Sequence, residues 1–458
     1  MRDSSAVSTA ASGTDEAQLS GHRFTRRRWI AGAAGAAGLA ILGTHTAYAQ
    51  QGTPVASPIP AGRDWRRESW VGSWTAGVHV ASPGFGEEFP SQIFDLGGRT
   101  LRQVVRLSLG GEQVRIRLAN TFGEESVTIG AARVALRDGD EGIDPASDRQ
   151  VTFSGLASIT IPAGAVVLSD PVHLAVPDLT ELAVSLYFPD PTMSRTVHGF
   201  AFQTNYLSGD GDFTAEAALP VEEEILSWLY LTGVDVAVAE PAGAIVALGD
   251  SITDGAFSTP DTNHRWPDFL ADRLAASGQP MLGVLNQGIG GNRVLNDAPP
   301  EFPFMGPSAL SRFDREVLAM PGISHLIVFE GINDIGMSGM AGDAARRVSP
   351  DELIAGLRQL AERAHEHGIV VYGATITPYE GTADYFTPEG EMVRQAVNDW
   401  IRTGGAFDAV IDFDAITRDP DHRSRLMPAY DGGDHLHMND AGFQAIADGI
   451  HLALFHAS

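Results

Sequence analysis

Residues 245–255, IVALGDSITDG, run from four apolar residues directly into Gly249-Asp250-Ser251. An apolar run of this kind is typical of a strand buried inside a parallel sheet. Ser251 would then stand at the carboxyl end of the strand, where open α/β sheets bind their ligands. Glycine, aspartate and serine also form ordinary polar turns, so the stretch by itself fits a turn as well as a nucleophile. The rest of the chain decides between these two interpretations.

Strand-like and helical patterns alternate from Pro241 to the end of the chain. Short apolar runs predict five strands, at residues 244–248, 282–286, 326–329, 369–375 and 409–413. Apolar residues three and four positions apart predict five helices, at residues 266–276, 309–320, 351–367, 391–403 and 441–455. Because right-handed crossovers place helices on both faces of a parallel sheet, residues 241–458 are predicted to form a three-layer α/β/α sandwich with a five-stranded parallel sheet.

The preceding part of the chain, residues 65–240, has the pattern of a β domain. Short runs of alternating apolar and polar residues, such as 114–118 and 182–188, are separated by Gly-Gly, Asp-Gly or Pro-Asp pairs. Strands at this spacing predict a β-sandwich or jelly-roll-like domain. We call residues 65–240 the β-rich region and expect an accessory role for it.

Residues 1–64 have the features of an export signal and a linker. Arg26-Arg27-Arg28 precedes the small and apolar residues 30–42, and Ala47-Tyr48-Ala49 matches a cleavage site. The apolar run is shorter than the roughly 20 residues of a membrane-spanning helix, so no stable membrane anchor is expected. Residues 1–49 are interpreted as a twin-arginine export signal and 50–64 as a linker. The mature protein is expected to be secreted or to lie in the cell envelope or periplasm.

Composition excludes several classes of function. The net charge of −27 argues against nucleic acid or an anionic membrane surface as a partner. All 31 basic residues are arginine, which excludes Schiff-base lysines and P-loop lysines. The chain has no cysteine, which removes disulfides, thiol nucleophiles and thiolate metal sites. The oligomeric state is not indicated by the sequence.

Four polar segments stand at the ends of predicted strands or just before the last helix. They are GDSI at 249–252, NQGIGG at 286–291, GIND at 331–334 and DHLH at 434–437. They resemble the four sequence blocks of the SGNH hydrolases, also called GDSL esterases, in the family's order, and the resemblance covers residues 244–455. The longer stretches NQGIGGNRVL, EGINDIG and GDHLHMNDAG resemble a secreted bacterial branch with arylesterases and xylan-associated acyl hydrolases. In that branch a β-rich domain commonly precedes the hydrolase.

The resemblance implies a fold and a set of residue roles. The fold would be the flavodoxin-like SGNH fold. Ser251 would be the nucleophile, His437 its general base, and Asp434 the acceptor that orients the imidazole. The backbone amides of Ser251 and Gly291 and the side-chain amide of Asn333 would form the oxyanion hole.

His435 is the rival of His437 as general base, and the family spacing from Asp434 selects His437. The two histidines also make a poor zinc site, because no cysteine or nearby Glu-x-x-His spacing accompanies them. The implied mechanism needs neither a metal nor an organic cofactor, so none is expected. The chain also lacks the G-x-S-x-G pattern of the α/β-hydrolase nucleophile elbow.

These features predict a secreted serine esterase that hydrolyses carboxylic esters through an acyl-enzyme. The expected substrates are short-chain acyl or acetyl esters of sugars or aryl alcohols, including acylated polysaccharide. The Pro-rich stretches 256–269 and 295–310 are expected to line the substrate pocket. Two alternatives remain open. One is a carbohydrate-binding protein with weak or no turnover, in which Trp65, Trp70 and Trp74 stack on sugars, and the other is an acyltransferase that uses the same triad.

Overall fold

The computed structural model describes residues 69–456 except 85, 87, 88, 239–241, 278–280, 341–346 and 384. The export signal and linker predicted at residues 1–64 lie outside the described residues, as does Trp65. The predicted boundary between residues 240 and 241 also falls outside them. The described residues belong to one compact unit of the chain.

Sixteen strands of the described part precede residue 239. They are β1 (Ser69–Thr75), β2 (His79–Val80), β3 (Arg99–Arg106), β4 (Gly111–Ala119), β5 (Val127–Ile129), β6 (Ala131–Leu136), β7 (Arg149–Gln150), β8 (Ile159–Ile161), β9 (Val166–Leu168), β10 (Val172–Val176), β11 (Glu181–Tyr187), β12 (Thr196–His198), β13 (Asn205–Asp210), β14 (Val221–Ile225), β15 (Trp228–Leu229) and β16 (Leu231–Val238).

Most of these strands form two antiparallel sheets. One has the order β1-β16-β4-β10, with β9 beside β4, and the other the order β14-β13-β3-β11-β6-β7. Smaller sheets are β15-β12-β2 and β5-β8. Apolar side chains of β4 and β11, such as Ile116 and Val184, are buried in one hydrophobic core. The β-sandwich predicted for this region is therefore confirmed.

The second half of the described chain contains five strands and eight α-helices. The strands are β17 (Gly243–Gly249), β18 (Leu282–Gly288), β19 (Ile323–Phe329), β20 (Val370–Ala374) and β21 (Ala409–Ile411). The helices are α1 (Ser251–Asp254), α2 (Trp266–Ser277), α3 (Ala309–Phe313), α4 (Ile332–Met340), α5 (Pro350–His365), α6 (Pro388–Thr403), α7 (Phe413–Thr417) and α8 (Asp440–Gly449). None of the helices described is long and apolar enough to cross a bilayer.

These five strands form a parallel sheet in the order β18-β17-β19-β20-β21. This is the flavodoxin-like order 2-1-3-4-5, and it confirms the predicted α/β fold. Because β17 has the strands that follow it in sequence on both sides, a crevice opens at its carboxyl end. The topology therefore favours that edge of the sheet as the location of a site.

The structure differs from the sequence prediction in several short helices and in where two of the predicted elements end. Helices α1, α4 and α7 were not predicted, because each starts within or next to a polar segment that has no helical periodicity. The strand predicted at 409–413 ends at Ile411, since the Asp412 side chain caps α7 by accepting the N–H of Ala415 at 3.1 Å. The helix predicted at 309–320 ends as an α-helix at Phe313 and continues as the π-helical turn Asp314–Leu318.

The β-rich region packs closely against β18, the edge strand of the parallel sheet. Gly72 in β1 and Gly283 in β18 meet backbone to backbone, and a Cβ atom on Gly283 would lie 2.0 Å from the Gly72 carbonyl oxygen. The Thr75 hydroxyl donates to the carbonyl oxygen of Asn286 at 3.0 Å. A side chain at position 283 would therefore push the two sheets apart.

The guanidinium of Arg312 connects the carboxyl ends of three strands. It donates to the carbonyl oxygens of Gly249, which ends β17, at 2.9 Å and of Gln287, near the end of β18, at 2.6 Å. It also pairs with Glu316 at 2.6 Å and with Glu330, directly after β19, at 3.4 Å. The Arg312 side chain is fully buried. Its contacts hold together the strand ends from which three of the four motif segments begin.

Replacement of Arg312 by methionine should destabilise the fold strongly. The change leaves Glu330 buried without its cationic partner and Glu316 with only Arg315, and breaking a buried pair in this way typically costs about 3–5 kcal/mol. The measurement is the free energy of unfolding from urea titration. The matched control is Arg425→Met, which removes a half-exposed pair with Glu380 and should cost less than about 1 kcal/mol. Equal losses in both variants would contradict the role of Arg312.

Candidate active site

Ser251 lies in the first turn of helix α1, two residues after β17 ends. Asp250 caps this helix, because its carboxylate accepts the N–H of Ile252 at 2.9 Å. Burial raises the pKa of Asp250 to about 7 in spite of that hydrogen bond. The helix ends after one turn at Gly255, which has a φ of +105°. This strand–turn–helix connection places Ser251 at the crevice of the parallel sheet.

His437 connects Ser251 to Asp434 through two direct hydrogen bonds. Its Nε2 lies 2.8 Å from Ser251 Oγ, and its Nδ1 lies 2.6 Å from Asp434 Oδ2. The other carboxylate oxygen of Asp434 accepts the backbone N–H groups of Leu436 and His437 at 2.9 and 2.8 Å. A proton on Nδ1 therefore points to Asp434, which leaves Nε2 to accept the hydroxyl proton of Ser251.

Asp434 remains ionised down to low pH. Burial would raise its pKa, but the hydrogen bond and charge of His437, together with the backbone N–H groups of His437 and Leu436, lower it to about 2. A carboxylate at this position stabilises a positive charge on the imidazole. The arrangement therefore favours transfer of a proton from Ser251 to His437.

His435 has a different partner. Its Nδ1 lies 2.6 Å from Asp431 Oδ2, and about half of its side chain is exposed. His437, and not His435, is therefore the histidine that contacts Ser251. Within the described part of the chain, no group of three or more His, Asp or Glu side chains is arranged to hold a metal ion.

The loop after β18 requires glycine at position 291. Gly291 has a φ of +77°, and a Cβ atom there would lie 2.6 Å from Met305 Cγ. On one side of it, the N–H of Gly290 donates to Asp254 Oδ2 at 2.9 Å. On the other side, the Asn292 side chain donates to the carbonyl oxygen of Met305 at 2.7 Å. These contacts hold the backbone on both sides of Gly291.

Asn333 has its side-chain amide oriented by two neighbours. Its Nδ2 donates to the carbonyl oxygen of Asn292 at 2.9 Å, and its Oδ1 accepts the hydroxyl of Tyr385 at 2.5 Å. A carbonyl oxygen can only accept, so the amide nitrogen must face Asn292. An amide nitrogen carries two hydrogens, and this contact uses one of them. Asn333 can therefore offer a second N–H to a developing oxyanion.

Asp334 joins the second and third motif segments. Its carboxylate accepts the backbone N–H groups of Val294 and Leu295 at 2.8 and 3.1 Å. Burial raises its pKa to about 6, although these hydrogen bonds act in the opposite direction. The loop that carries Gly291 is therefore attached to the helix that carries Asn333.

The structure brings the predicted site residues to one edge of the parallel sheet. Ser251, His437 and Asp434 form one hydrogen-bonded chain, and Gly291 and Asn333 are linked through Asn292. Their catalytic roles remain predictions. Tyr385 is not predicted from the sequence as a site residue, because it lies in the loop between β20 and α6, outside any motif.

The model of the GDSL-like lipase/acylhydrolase family matches residues 247–445. These residues form a GDSL-like acylhydrolase domain. The matched range contains all four motif segments and both sides of the contact between Ser251 and His437. The protein is a carboxylic ester hydrolase. No curated protein matches the chain at a significant level.

Several solved structures resemble the chain over slightly less than half of its length. A lipase/acylhydrolase from Enterococcus faecalis is 20% identical with a TM-score of 0.35, over 45% of this chain and 92% of that chain. A catalytic mutant of an acetylxylan esterase from Geobacillus stearothermophilus is 20% identical with a TM-score of 0.35, over 47% and 95%. A GDSL-like lipase from Bacteroides thetaiotaomicron is 18% identical with a TM-score of 0.33, over 46% and 87%.

Tyr385→Phe should reduce turnover by the acylhydrolase domain without unfolding it. The change removes the hydroxyl that orients the Asn333 amide, and we expect kcat for p-nitrophenyl acetate to fall about 10-fold, less than the roughly 10²–10³-fold loss typical of removing an oxyanion donor. Asn333→Ala should show that larger loss. The control is Tyr379→Phe, since the Tyr379 ring packs edge-on against Tyr385. A kcat for Tyr385→Phe equal to that of the control would contradict this role.

Proposed function

We propose that this acylhydrolase is a serine esterase that uses Ser251, His437 and Asp434 as its catalytic triad. The observation that carries the proposal is the continuous chain of hydrogen bonds from Ser251 Oγ through the His437 ring to Asp434. A serine hydroxyl is a weak nucleophile until a neighbouring base removes its proton, and the 2.8 Å contact with Nε2 supplies that base.

Ester cleavage would proceed in two halves. Ser251 Oγ attacks the carbonyl carbon of the ester while its proton moves to His437 Nε2. The backbone N–H groups of Ser251 and Gly291 and the Asn333 side chain donate to the oxyanion. The intermediate collapses, His437 gives its proton to the departing alcohol, and the acyl group remains on Ser251. Water then attacks the acyl-enzyme in the same way and releases the carboxylic acid.

A fluorophosphonate probe tests the nucleophile. The wild-type protein should be labelled, and Ser251→Ala should not, because the probe bonds to the activated hydroxyl. His437→Ala should be labelled much more slowly, since it lacks the base. The matched control is Ser324→Ala near the start of β19, at the opposite end of the sheet, which should be labelled like the wild type. Labelling of Ser251→Ala at the wild-type rate would refute the nucleophile assignment.

The β-rich region gives little support to the alternative of a carbohydrate-binding protein. Trp74 is buried and packs edge-on against Trp228, with ring centroids 4.9 Å apart. The face of Trp70 is covered by the Arg115 guanidinium, 4.4 Å from the ring centroid. Trp74 is therefore not available to stack on a sugar, and one face of Trp70 is already occupied. The acyltransferase alternative uses the same triad and is separated from hydrolysis by analysis of the products.

Phe257 supports the proposal that the alcohol part of the substrate contains a ring. Its ring lies flat against His437, with centroids 5.4 Å apart and an angle of 10° between the planes. About half of Phe257 is exposed, and its φ of +73° is unusual for a non-glycine residue. Since His437 would protonate the departing alcohol, a surface beside it lies on the alcohol side. A flat apolar surface there suits an aryl alcohol or the apolar face of a sugar.

Phe257→Ala should change the selectivity for the alcohol. The kcat/KM for benzyl acetate or an acetylated methyl xyloside should fall about 2- to 10-fold, the range expected for one lost aromatic contact. Butyl acetate, which has no ring, should be affected less than about 2-fold. Phe257→Tyr is the matched control and should retain the preference. An equal loss for all three esters would instead indicate that Phe257 only supports His437.

Export is part of the proposal and is supported by residues 1–49 alone. Their arginines, short apolar run and Ala-Tyr-Ala segment are those of a twin-arginine signal. Acetylated or otherwise acylated polysaccharide outside the cell is the proposed natural substrate, in agreement with an aromatic surface on the alcohol side.

A further inference from the structure

His198 extends from the β-rich region to the loop that carries Ser251. It is the last residue of β12 and is buried. Its Nε2 lies 2.9 Å from Asp254 Oδ1, and its Nδ1 lies 2.6 Å from the carbonyl oxygen of Gly77. Asp254 ends helix α1, three residues after Ser251. A side chain of the β-rich region therefore contacts the helix that begins with the proposed nucleophile.

Both ring nitrogens of His198 face acceptors. The carbonyl of Gly77 can only accept, so Nδ1 carries a proton. A carboxylate oxygen also accepts, so the 2.9 Å contact with Asp254 requires a second proton between Nε2 and Oδ1. Burial lowers the pKa of His198, but the charge and hydrogen bond of Asp254 and the Gly77 carbonyl outweigh it and raise the pKa above its usual value. The contact is therefore an imidazolium–carboxylate pair.

The charge of Arg265 acts against protonation of His198, but the carboxylate of Asp254 outweighs it and the net pKa of His198 is raised. His79 is the neighbouring histidine, with its ring centroid 6.4 Å away, and burial lowers its pKa to about 4. The Trp228 ring packs against the His198 ring with their centroids 5.4 Å apart. The Cζ atom of Arg265 lies 5.6 Å from the Trp228 ring centroid. Arg265 Nε donates to the backbone carbonyl of Asp254 at 2.9 Å. Asp254 is thus held at its backbone by Arg265 and at its carboxylate by His198.

The second carboxylate oxygen of Asp254 reaches the loop after β18. Asp254 Oδ2 accepts the N–H of Gly290 at 2.9 Å, and Gly290 directly precedes Gly291. A continuous chain of hydrogen bonds therefore runs from Gly77 through His198 and Asp254 to the backbone beside the proposed oxyanion donor. Without the His198–Asp254 pair, the Gly290 N–H would lose the carboxylate that accepts it.

We propose that His198 is a positioning residue for ester cleavage: through Asp254 it sets the location of the Gly290–Gly291 backbone, so that the β-rich region completes the oxyanion hole. The inference rests on the proposed function, since it requires Gly291 to donate to the oxyanion. His198 itself touches neither the substrate nor the reacting atoms. It acts on the transition state, in which the oxyanion exists, and not on the bound ester.

The test compares His198→Leu, Asp254→Ala and Asp254→Asn in the full-length protein. His198→Leu and Asp254→Ala should lower kcat for p-nitrophenyl acetate about 10- to 100-fold, with KM changed less than about 3-fold, because a misplaced donor weakens mainly the transition state. In both variants the affinity for phenylboronic acid, which forms a tetrahedral anion on Ser251, should fall by a similar factor. Asp254→Asn should retain most of the activity, since an amide can accept from Gly290 and donate to a neutral His198.

A purely structural role predicts a different result. The control is Asp235→Asn, which alters a buried carboxylate of the β-rich region paired with Arg115 and should lower stability while leaving kcat unchanged. If His198→Leu does not fold, the comparison of Asp254→Ala with Asp254→Asn still tests the proposal. In both variants His198 can become neutral, so neither leaves a buried cation without a partner. Wild-type kcat and boronate affinity in folded His198→Leu or in Asp254→Ala, or equal losses in Asp254→Ala and Asp254→Asn, would overturn the proposal. Failure of the proposed function would appear separately, as a wild-type protein that fluorophosphonate does not label at Ser251.

Discussion

The buried guanidinium of Arg312 is the constraint on which the site depends. An arginine keeps its charge inside a protein, so every hydrogen that it carries must find an acceptor or leave a large desolvation cost unmet. Its acceptors are Gly249, Gln287 and the side chain of Asn292, with Glu316 and Glu330 as charged partners. Except for Glu316, which follows Arg312 in the π-helical turn, these groups come from the ends of three neighbouring strands or from the loop after β18. Because one arginine binds all of these groups, it fixes the positions of the loops after β17, β18 and β19 relative to one another.

The segments after β18 and β19 are each held by a further contact with a distant part of the chain. The Asn333 amide is oriented by Tyr385, and the Gly290 backbone is held by Asp254. Tyr385 lies in the loop before α6 and Asp254 at the end of α1, but both contacts act on groups beside the proposed oxyanion. Such supports matter because a donor displaced by about 1 Å loses much of its effect on a transition state.

The β-rich region is joined to the acylhydrolase domain by contacts that leave little freedom. Gly72 and Gly283 bring the backbones of β1 and β18 together, and His198 forms a buried ion pair with Asp254. Close packing transmits a displacement, whereas a flexible tether does not. The region thus has a physical route by which it can influence Ser251, in addition to the accessory role expected from its sequence.

The sequence by itself determined the fold class and the candidates for the reacting groups. Hydrophobic periodicity is a local property, so it predicted all five parallel strands and the longer helices, and the motif segments identified Ser251, Asn333 and His437. The short helices α1, α4 and α7 could not be predicted, because capping and tertiary packing stabilise them more than their own propensity does.

Only the tertiary structure decided which distant residues meet at the site. Nothing local marks Tyr385 as the partner of Asn333, Phe257 as the neighbour of His437, or a histidine of the β-rich region as the partner of Asp254. Such pairs depend on where loops from different elements converge, and a single chain does not encode that in any short pattern. The candidates for the reacting groups can therefore be recognised from the sequence, while the contacts that hold them in position are a property of the folded protein.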